Sequence, residues 1–369
     1  MIKQVPREVL NAFTSYEPDL PEHPAGKIIV EQIGNGLINH SYKVCCELKP
    51  DFFLQRINTN VFQHPEDLQE NYISIWQYAE FVRKDSGRAL TGFRMPSPVY
   101  YSRKATLFVD KNENYWRAFE FIGDSKMVYA AEKATQAKAT ARAFAKFTAA
   151  YDDFNVHLLK EVIPGFHDLG LRYRQFEASL NTELYERMSR SLLLVQDLKS
   201  RERYRHFYDI ITDSGEFPKR VMHHDAKIGN ILFHEQTGKV ICPVDYDTVM
   251  PGYFFSDLGD MIRSMAGSCD ENSKQPDKIR IHKDFYEAVI TGYTDVLGAQ
   301  FTAAEKKYLH SAGLLMIYMQ ALRFITDYLN GDSYYKTEYP EQNFDRTINQ
   351  LALLKKLEEF LAEHYRFKI

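Results

Sequence analysis

The sequence has little of what marks a specialised chain. Its 369 residues hold only four cysteines, Cys45, Cys46, Cys242 and Cys269. Their spacing fits no zinc template, and the adjacent pair is no framework staple, so a disulfide scaffold and a structural zinc site are excluded. Neither sign of charge dominates: 46 Lys and Arg stand against 50 Asp and Glu, a formal net charge of -4. Nucleic-acid binding wants a clustered basic excess, so no nucleic-acid partner is expected. No apolar run is long enough to span a bilayer. The most apolar stretch, residues 309–322, is broken by His310, Ser311 and Gln320, and no membrane role is expected. The opening Met1-Ile2-Lys3-Gln4-Val5-Pro6-Arg7-Glu8 shows no apolar signal region, and a reducing, cytoplasmic setting is the expectation. What is present is ordinary: 44% hydrophobic and 26% charged residues describe a folded chain. Its length calls for two domains or lobes rather than one core.

Hydrophobic periodicity divides the chain. Ile28-Ile29-Val30, Tyr42-Lys43-Val44 and Phe52-Phe53-Leu54 read as strands, with Gly34-Asn35-Gly36 between the first two. Residues 65–82 read as a helix with Leu68, Tyr72, Ile75, Trp76 and Ala79 on one face. Strand-like runs return at Val99-Tyr100-Tyr101, 105–109 and 115–122, so the region to Phe121 is a sheet with one helix. Beyond Gly123, helices are predicted over 134–151 and 176–198. Another opens on the capping box Thr302-Ala303-Ala304-Glu305 and runs to about Leu329, and a last one buries Leu353, Leu354, Leu357, Phe360 and Leu361. One island, residues 220–247, reads as short strands around loops. An α+β architecture is expected, with a small sheet-rich N-terminal lobe over 1–121 and a larger helical lobe over 122–369.

The island carries chemistry. Val221-Met222-His223-His224-Asp225-Ala226-Lys227-Ile228-Gly229-Asn230 places a carboxylate, a cation and an amide in one polar loop. Cys242-Pro243-Val244-Asp245-Tyr246-Asp247 follows, with Asp245 fifteen residues after Asn230. Phosphoryl transfer needs these parts: a carboxylate for the acceptor hydroxyl's proton, and an amide oxygen plus a carboxylate to hold Mg²⁺ on the phosphates. A nearby cation helps to stabilise the spread negative charge.

His223-x-Asp225 with Asn230 resembles the His-x-Asp-x-x-x-x-Asn loop of aminoglycoside phosphotransferase-like kinases, relatives of the protein kinases. Asp245 falls where that family keeps its Asp-Phe-Gly-type metal ligand, and Asp257, twelve residues on, where it keeps a bracing Asp. Within the superfamily, Asp245-Tyr246-Asp247-Thr248-Val249-Met250-Pro251-Gly252 and Asp257-Leu258-Gly259-Asp260-Met261-Ile262-Arg263 look most like the N-acetylhexosamine 1-kinases. So do Leu54-Gln55-Arg56-Ile57-Asn58, Ile163-Pro164-Gly165-Phe166-His167 and the run from Arg323 through Asp327 to Asp332. The resemblance spans about 34 to 332. It implies a two-lobed protein-kinase-like fold, ATP and Mg²⁺ as cofactors, and a small-molecule sugar acceptor phosphorylated at its anomeric hydroxyl.

The resemblance also implies roles. Asp225 would be the general base, or the group that orients the acceptor hydroxyl, and Asn230 and Asp245 would bind Mg²⁺. Asp247 would assist or brace the loop. Lys227 stands where many protein kinases carry a lysine on the γ-phosphate; a solvated loop charge is its plainer reading. His223 reads as a packed scaffold residue, and His224 as a residue that could face the acceptor. Gly34 and Gly36 lie where kinases place the loop over the ATP phosphates, although Asn-Gly is also an ordinary hairpin turn. Arg56 sits where the family has a basic residue for the α/β phosphates, and no helical Glu partner for it is visible. Adenine would meet the connection at Glu120, Phe121 and Ile122.

For the acceptor, Gln320, Arg323 and Asp327 form a polar stripe on an apolar helix. An i,i+4 Arg323–Asp327 pair would account for it; so would a cleft wall whose guanidinium meets a sugar hydroxyl or amide oxygen. His167 and Asp168 would shape the same pocket or only a turn. The rival acceptors are an amino alcohol, a homoserine-like metabolite or an aminoglycoside. From another class, His224-Asp225 suggests a metal-dependent phosphohydrolase, which the absence of an upstream helical His opposes. A dead binding module is opposed by Asp225, Asn230 and Asp245 occurring together. A sulfatase is opposed by the surroundings of Cys242.

Overall fold

The computed structural model describes residues 7–16, 28–33, 38–46, 49–85, 93–101 and 105–369. It opens on a helix that the periodicity reading missed, α1 (Arg7–Tyr16), with Val9, Ala12, Phe13 and Tyr16 buried. The helical spacing of these four is present in the sequence but lasts barely two turns. β1 (Ile28–Gln32), β2 (His40–Cys46) and β3 (Lys49–Arg56) precede α2 (Pro65–Asp85). The first residue of α2 is a proline, followed by Glu66 and Asp67 in its first turn, and both features favour a helix start. β4 (Pro98–Val99), β5 (Leu107–Val109) and β6 (Tyr115–Glu120) complete an antiparallel sheet ordered β1-β2-β3-β6-β4, with β5 also paired to β6.

Alternation along the strands decides what each face of this sheet meets. Tyr42, Val44, Phe52, Leu54, Trp116 and Ala118 pack under α1. There the Tyr16 hydroxyl donates to the carbonyls of Thr106 and Trp116 at 2.8 and 2.6 Å. On the other face Phe53 and Phe119 meet Tyr72, Ile75 and Ala79 of α2, together with Phe147, Tyr151, Val221, Tyr246 and Val249 from later in the chain. This second core is the seam between the sheet-rich and helical lobes.

β7 (Ser125–Met127), α3 (Ala134–Ala150), α4 (Leu169–Ser179), α5 (Tyr185–Ser200) and α6 (Arg203–Asp213) follow. The single helix expected over 176–198 is therefore two. Thr182 intervenes, donating to the Leu329 carbonyl at 2.8 Å and accepting from the Leu184 amide at 3.1 Å; such local side-chain bonds compete with helix propagation. The island supplies β8 (Arg220–Met222), β9 (Ile231–His234), β10 (Val240–Pro243) and β11 (Met250–Gly252). β8 pairs with β11, and β10, β9 and β7 form a third small sheet.

α7 (Phe255–Met265), α8 (Lys283–Leu297), α9 (Ala303–Lys307), α10 (Ser311–Leu329) and α11 (Gln342–Tyr365) complete the chain. The capping box forms, Thr302 and Glu305 exchanging bonds at 2.9 and 3.0 Å. The helix it opens nevertheless ends at Lys307, because Ser311 turns its amide and hydroxyl back to the Tyr308 carbonyl at 2.9 and 2.6 Å. α10 is buried on nearly every side by α4, α7 and α11. It approaches α7 so closely at Gly259 that a Cβ there would stand 2.3 Å from the Ala312 carbonyl oxygen. Among the described residues no helix is long and apolar enough to cross a membrane.

Candidate active site

β8 delivers the chain into the loop His223–His224–Asp225 with His224 in the left-handed region, φ 63. A non-glycine residue there costs about 1 kcal/mol or more. Asp257, in the first turn of α7, holds it: its two carboxylate oxygens accept the amides of His223 and His224 at 3.0 and 2.7 Å. Burial pushes the Asp257 carboxyl up to about 7 despite these two donors. The His223 ring is fully buried among Phe144, Phe147 and Tyr246, with Nε2 3.0 Å from the Val244 carbonyl. Burial takes its imidazole down to about 4, so it is a neutral scaffold. His224 is buried too, its Nδ1 3.2 Å from the Met222 carbonyl and its ring so close to Gly252 that a Cβ there would lie 2.4 Å from Nε2.

A 3-10 turn, Ile228–Asn230, folds Asn230 back over Asp225. Asn230 Nδ2 donates to the Asp225 carbonyl and to its Oδ2 at 2.8 and 2.7 Å, and Lys227 Nζ meets the same Oδ2 at 2.8 Å. Burial opposes ionisation of Asp225, but the Lys227 ammonium, with His223 and Asn230 behind it, holds the carboxyl below its ordinary value. Burial likewise disfavours charged Lys227, and Asp225, Asp245 and Asp260 outweigh it and raise its pKa. An ionised carboxylate so placed can orient a hydroxyl and take its proton.

Asp245 lies two residues beyond β10, at the start of the 3-10 turn Tyr246–Thr248, in the left-handed region, φ 64, and is exposed on one side. Protein closes round its other sides. That desolvation, with Asp247 and then Asp225 nearby, pushes its carboxyl up to about 7. These residues fit a divalent cation. Asn230 spends its Nδ2 on Asp225, which leaves Oδ1 as an acceptor, and like charge crowds Asp245. Among the described residues no three His, Cys, Asp or Glu side chains converge as a closed metal cage. Mg²⁺ needs none, since it keeps waters and takes phosphate oxygens beside one or two protein ligands.

On the nucleotide side the structure departs from expectation. Gly34 and Gly36 lie outside the described residues. Arg56 is not brought to the cleft: strand alternation turns it to the α1 face, where it pairs with Glu8 at 3.0 Å and lies over Trp116. The face toward Asp225 and Asp245 carries Gln55 and, opposite it on β6, Arg117. Arg117 is 3% exposed, bonded to Gln55 and paired with Asp247. Nothing flagged it beforehand except its position, a charge inside the apolar run Tyr115-Trp116-Arg117-Ala118-Phe119. Asp247 spends both oxygens, on Arg117 and on Asn39 Nδ2, and so braces the loop. At the connection, Glu120 pairs with Arg94 at 2.9 Å. The Ile122 carbonyl accepts the Ser125 hydroxyl at 2.6 Å, and its amide finds no acceptor among the described residues.

On the acceptor side the Arg323–Asp327 pair does not form. Asp327 instead accepts the amides of Tyr334 and Tyr335 at 2.8 and 2.9 Å and Asn343 Nδ2 at 2.9 Å. That fixes the loop which lays Tyr334 and Tyr335 against Arg323. Its guanidinium lies 5.0, 5.7 and 5.4 Å from the rings of Phe166, Tyr334 and Tyr335. Arg172 donates to the Phe166 carbonyl at 3.1 Å; burial, then Arg323, bring its pKa down to about 10. His167 stacks on Phe166 and lies tilted against His224, with ring centroids 5.0 Å apart, and thereby links this wall to the residue next to Asp225. Its Nδ1 has no hydrogen-bond partner among the described residues, and burial keeps the ring neutral. Asp168 takes a turn role: its Oδ1 caps α4 by accepting the Leu171 amide at 2.8 Å.

A sequence profile of the phosphotransferase enzyme family matches residues 31–293, more than half of the chain. Among solved structures, the chain is similar to an aminoglycoside phosphotransferase from Alicyclobacillus acidocaldarius, with a TM-score of 0.59 at 12% identity over 98% of both chains. The GDP complex of aminoglycoside 2'-phosphotransferase-IIIa matches with a TM-score of 0.58 at 13% identity, over 95% of this chain and 99% of the other. Choline kinase from Cryptosporidium parvum matches with 0.55 at 15% identity, over 96% of each. Identities this low speak to the fold alone, and the fold is the two-lobed, protein-kinase-like α+β one.

Proposed function

The chain belongs to the phosphotransferase enzyme family, and on that premise we propose that it transfers the γ-phosphoryl group of ATP to the anomeric hydroxyl of an N-acetylhexosamine. The observation that carries this reading is the Asp225 carboxylate, held ionised by Lys227 and Asn230 and joined through His224 and His167 to the aromatic-lined Arg323. The acceptor oxygen attacks the γ-phosphorus and its proton passes to Asp225. The bond from that phosphorus to the β,γ-bridging oxygen breaks, and ADP leaves with the electron pair. Lys227 faces the transferring group. Asn230 Oδ1 and Asp245 would hold Mg²⁺, which supplies charge neutralisation on the phosphates.

The acceptor wall supports a sugar. Among the described residues neither Arg172 nor Arg323 has a carboxylate partner; their bonds go to Phe166, Gln175, Gln320 and Tyr334. Two such guanidiniums repel an ammonium group and donate to hydroxyl and amide oxygens, and the tyrosines offer a stacking surface. That weighs against an amino alcohol or aminoglycoside. A phosphohydrolase is disfavoured by His224, whose ring nitrogen is turned to a backbone carbonyl within buried packing.

The test is ADP release with Mg²⁺-ATP over N-acetylglucosamine, N-acetylgalactosamine, galactose, homoserine, choline and kanamycin. Turnover on an N-acetylhexosamine that is lost with its methyl glycoside establishes the anomeric kinase. Turnover only on an amine overturns the sugar acceptor.

A further inference from the structure

Protein kinases carry the cation for the nucleotide phosphates as a lysine on the third strand, paired with a glutamate on the following helix. Here the third strand turns Gln55 to the cleft and Arg56 away from it. Among the described residues no acidic side chain of α2 pairs with either position. The β3–β6 register instead sets Arg117 directly beside Gln55 on the same face.

Arg117 is positioned from several sides. Its Nε donates to Gln55 Oε1 at 2.9 Å, and its Nη2 meets Gln55 Oε1 and Asp247. Gln55 is fixed in turn by donating to Ser41 Oγ at 3.0 Å. Asp247 is fixed by Asn39, whose Oδ1 accepts the Asn58 amide at 2.9 Å. Nη1 has no hydrogen-bond partner among the described residues. A buried guanidinium with one carboxylate and a free donor edge is pre-organised for a planar, anionic acceptor. Its ion-pair partner Asp247 stands two residues from Asp245, so it borders the proposed metal side of the cleft.

We propose that Arg117, from the neighbouring strand, is the phosphate-gripping cation of this enzyme, its Nη1 edge binding α/β-phosphoryl oxygens of the nucleotide while Asp247 takes the part of the helical glutamate. This rests on the kinase reading above. Phosphate binding passes from the third strand to β6, and the Gln55 amide orients the guanidinium that replaces a lysine.

Calorimetric titration of ATP, ADP and adenosine, with Mg²⁺ and without acceptor, separates the possibilities. Wild type is expected to prefer ATP to adenosine. Arg117→Gln should weaken ATP and ADP ten- to a hundred-fold and leave adenosine unchanged. In the double variant Gln55→Lys/Arg117→Gln, which returns a cation to the third strand and keeps Asp247 paired, the preference should return in part. An unchanged ATP-to-adenosine ratio in Arg117→Gln overturns the inference and leaves the kinase reading standing. Should Arg117→Gln not fold, a folded double variant without phosphate preference overturns it as well. Wild type that binds no nucleotide overturns both.

Discussion

The Asp225 carboxylate depends on its neighbours: burial raises its pKa, and Lys227 outweighs that and brings it below its ordinary value. Asp225→Asn removes the proposed proton acceptor while preserving shape. It should lower acceptor-dependent ADP release by roughly a hundred- to ten-thousand-fold, with ATP affinity retained by calorimetry; full activity would remove Asp225 from the mechanism. Arg323→Met should raise KM for the sugar at least ten-fold and leave nucleotide affinity alone, as steady-state kinetics in both substrates would show. The buried histidines respond to acid. His223 and His224 titrate near 4 in the folded chain against an ordinary 6.5. Between those values the unfolded chain binds protons that the folded one refuses. The histidines' contribution to stability therefore falls as pH drops from about 6.5 and levels off below about 4, while Asp257 and Asp245, raised to about 7, contribute with the opposite sign as pH falls below that value. His223→Leu should flatten that part of the curve of Tm against pH, even though it lowers Tm at neutral pH. Residues with a motif around them, Asp225, Asn230 and Asp245, were visible in sequence. Arg117 and Arg172 were not, since a lone arginine reads as a surface charge until its partners are known.

At the scale of elements, close packing of α7 on α10 positions the site, because α7 carries Asp257 and α10 carries Arg323. Gly259→Ala forces a methyl against the Ala312 carbonyl oxygen and Met316. Loss of about 2 kcal/mol or more is expected, read as a lower midpoint in urea, with activity falling in parallel as the loop loosens. Elements with a long period were legible: α2, α3 and α11 occur where the apolar stripes put them. The mismatches share one cause. Thr182 and Ser311 stop helices through bonds to carbonyls, Leu329 in one case and Tyr308 in the other, and a hydrophobic pattern does not register such bonds. α1 escaped because two turns are too few to outweigh a coil.

For the whole molecule, the two lobes meet through a shared apolar core and the charged contact of Arg117 and Asn39 with Asp247. A nucleotide lying between them binds only the folded chain. ADP with Mg²⁺ at a hundred times its dissociation constant should add about 2.7 kcal/mol of stability, seen as a rise in Tm. EDTA should remove much of that rise if Asp245 and Asn230 hold the proposed cation on the phosphates. No rise with saturating ADP would argue against a nucleotide site here. Most of the order of strands and helices, the polar island and its carboxylate spacing follow from the sequence itself, since periodicity and local motifs are short-range properties of a chain. Which face of β3 looks into the cleft, that Arg56 serves α1 and Glu8, and that Arg323 is freed because Asp327 turns to the Tyr334 loop were decided only in the tertiary structure. Each depends on partners between seven and more than a hundred residues away, and the two on β3 on the burial of two opposite sheet faces.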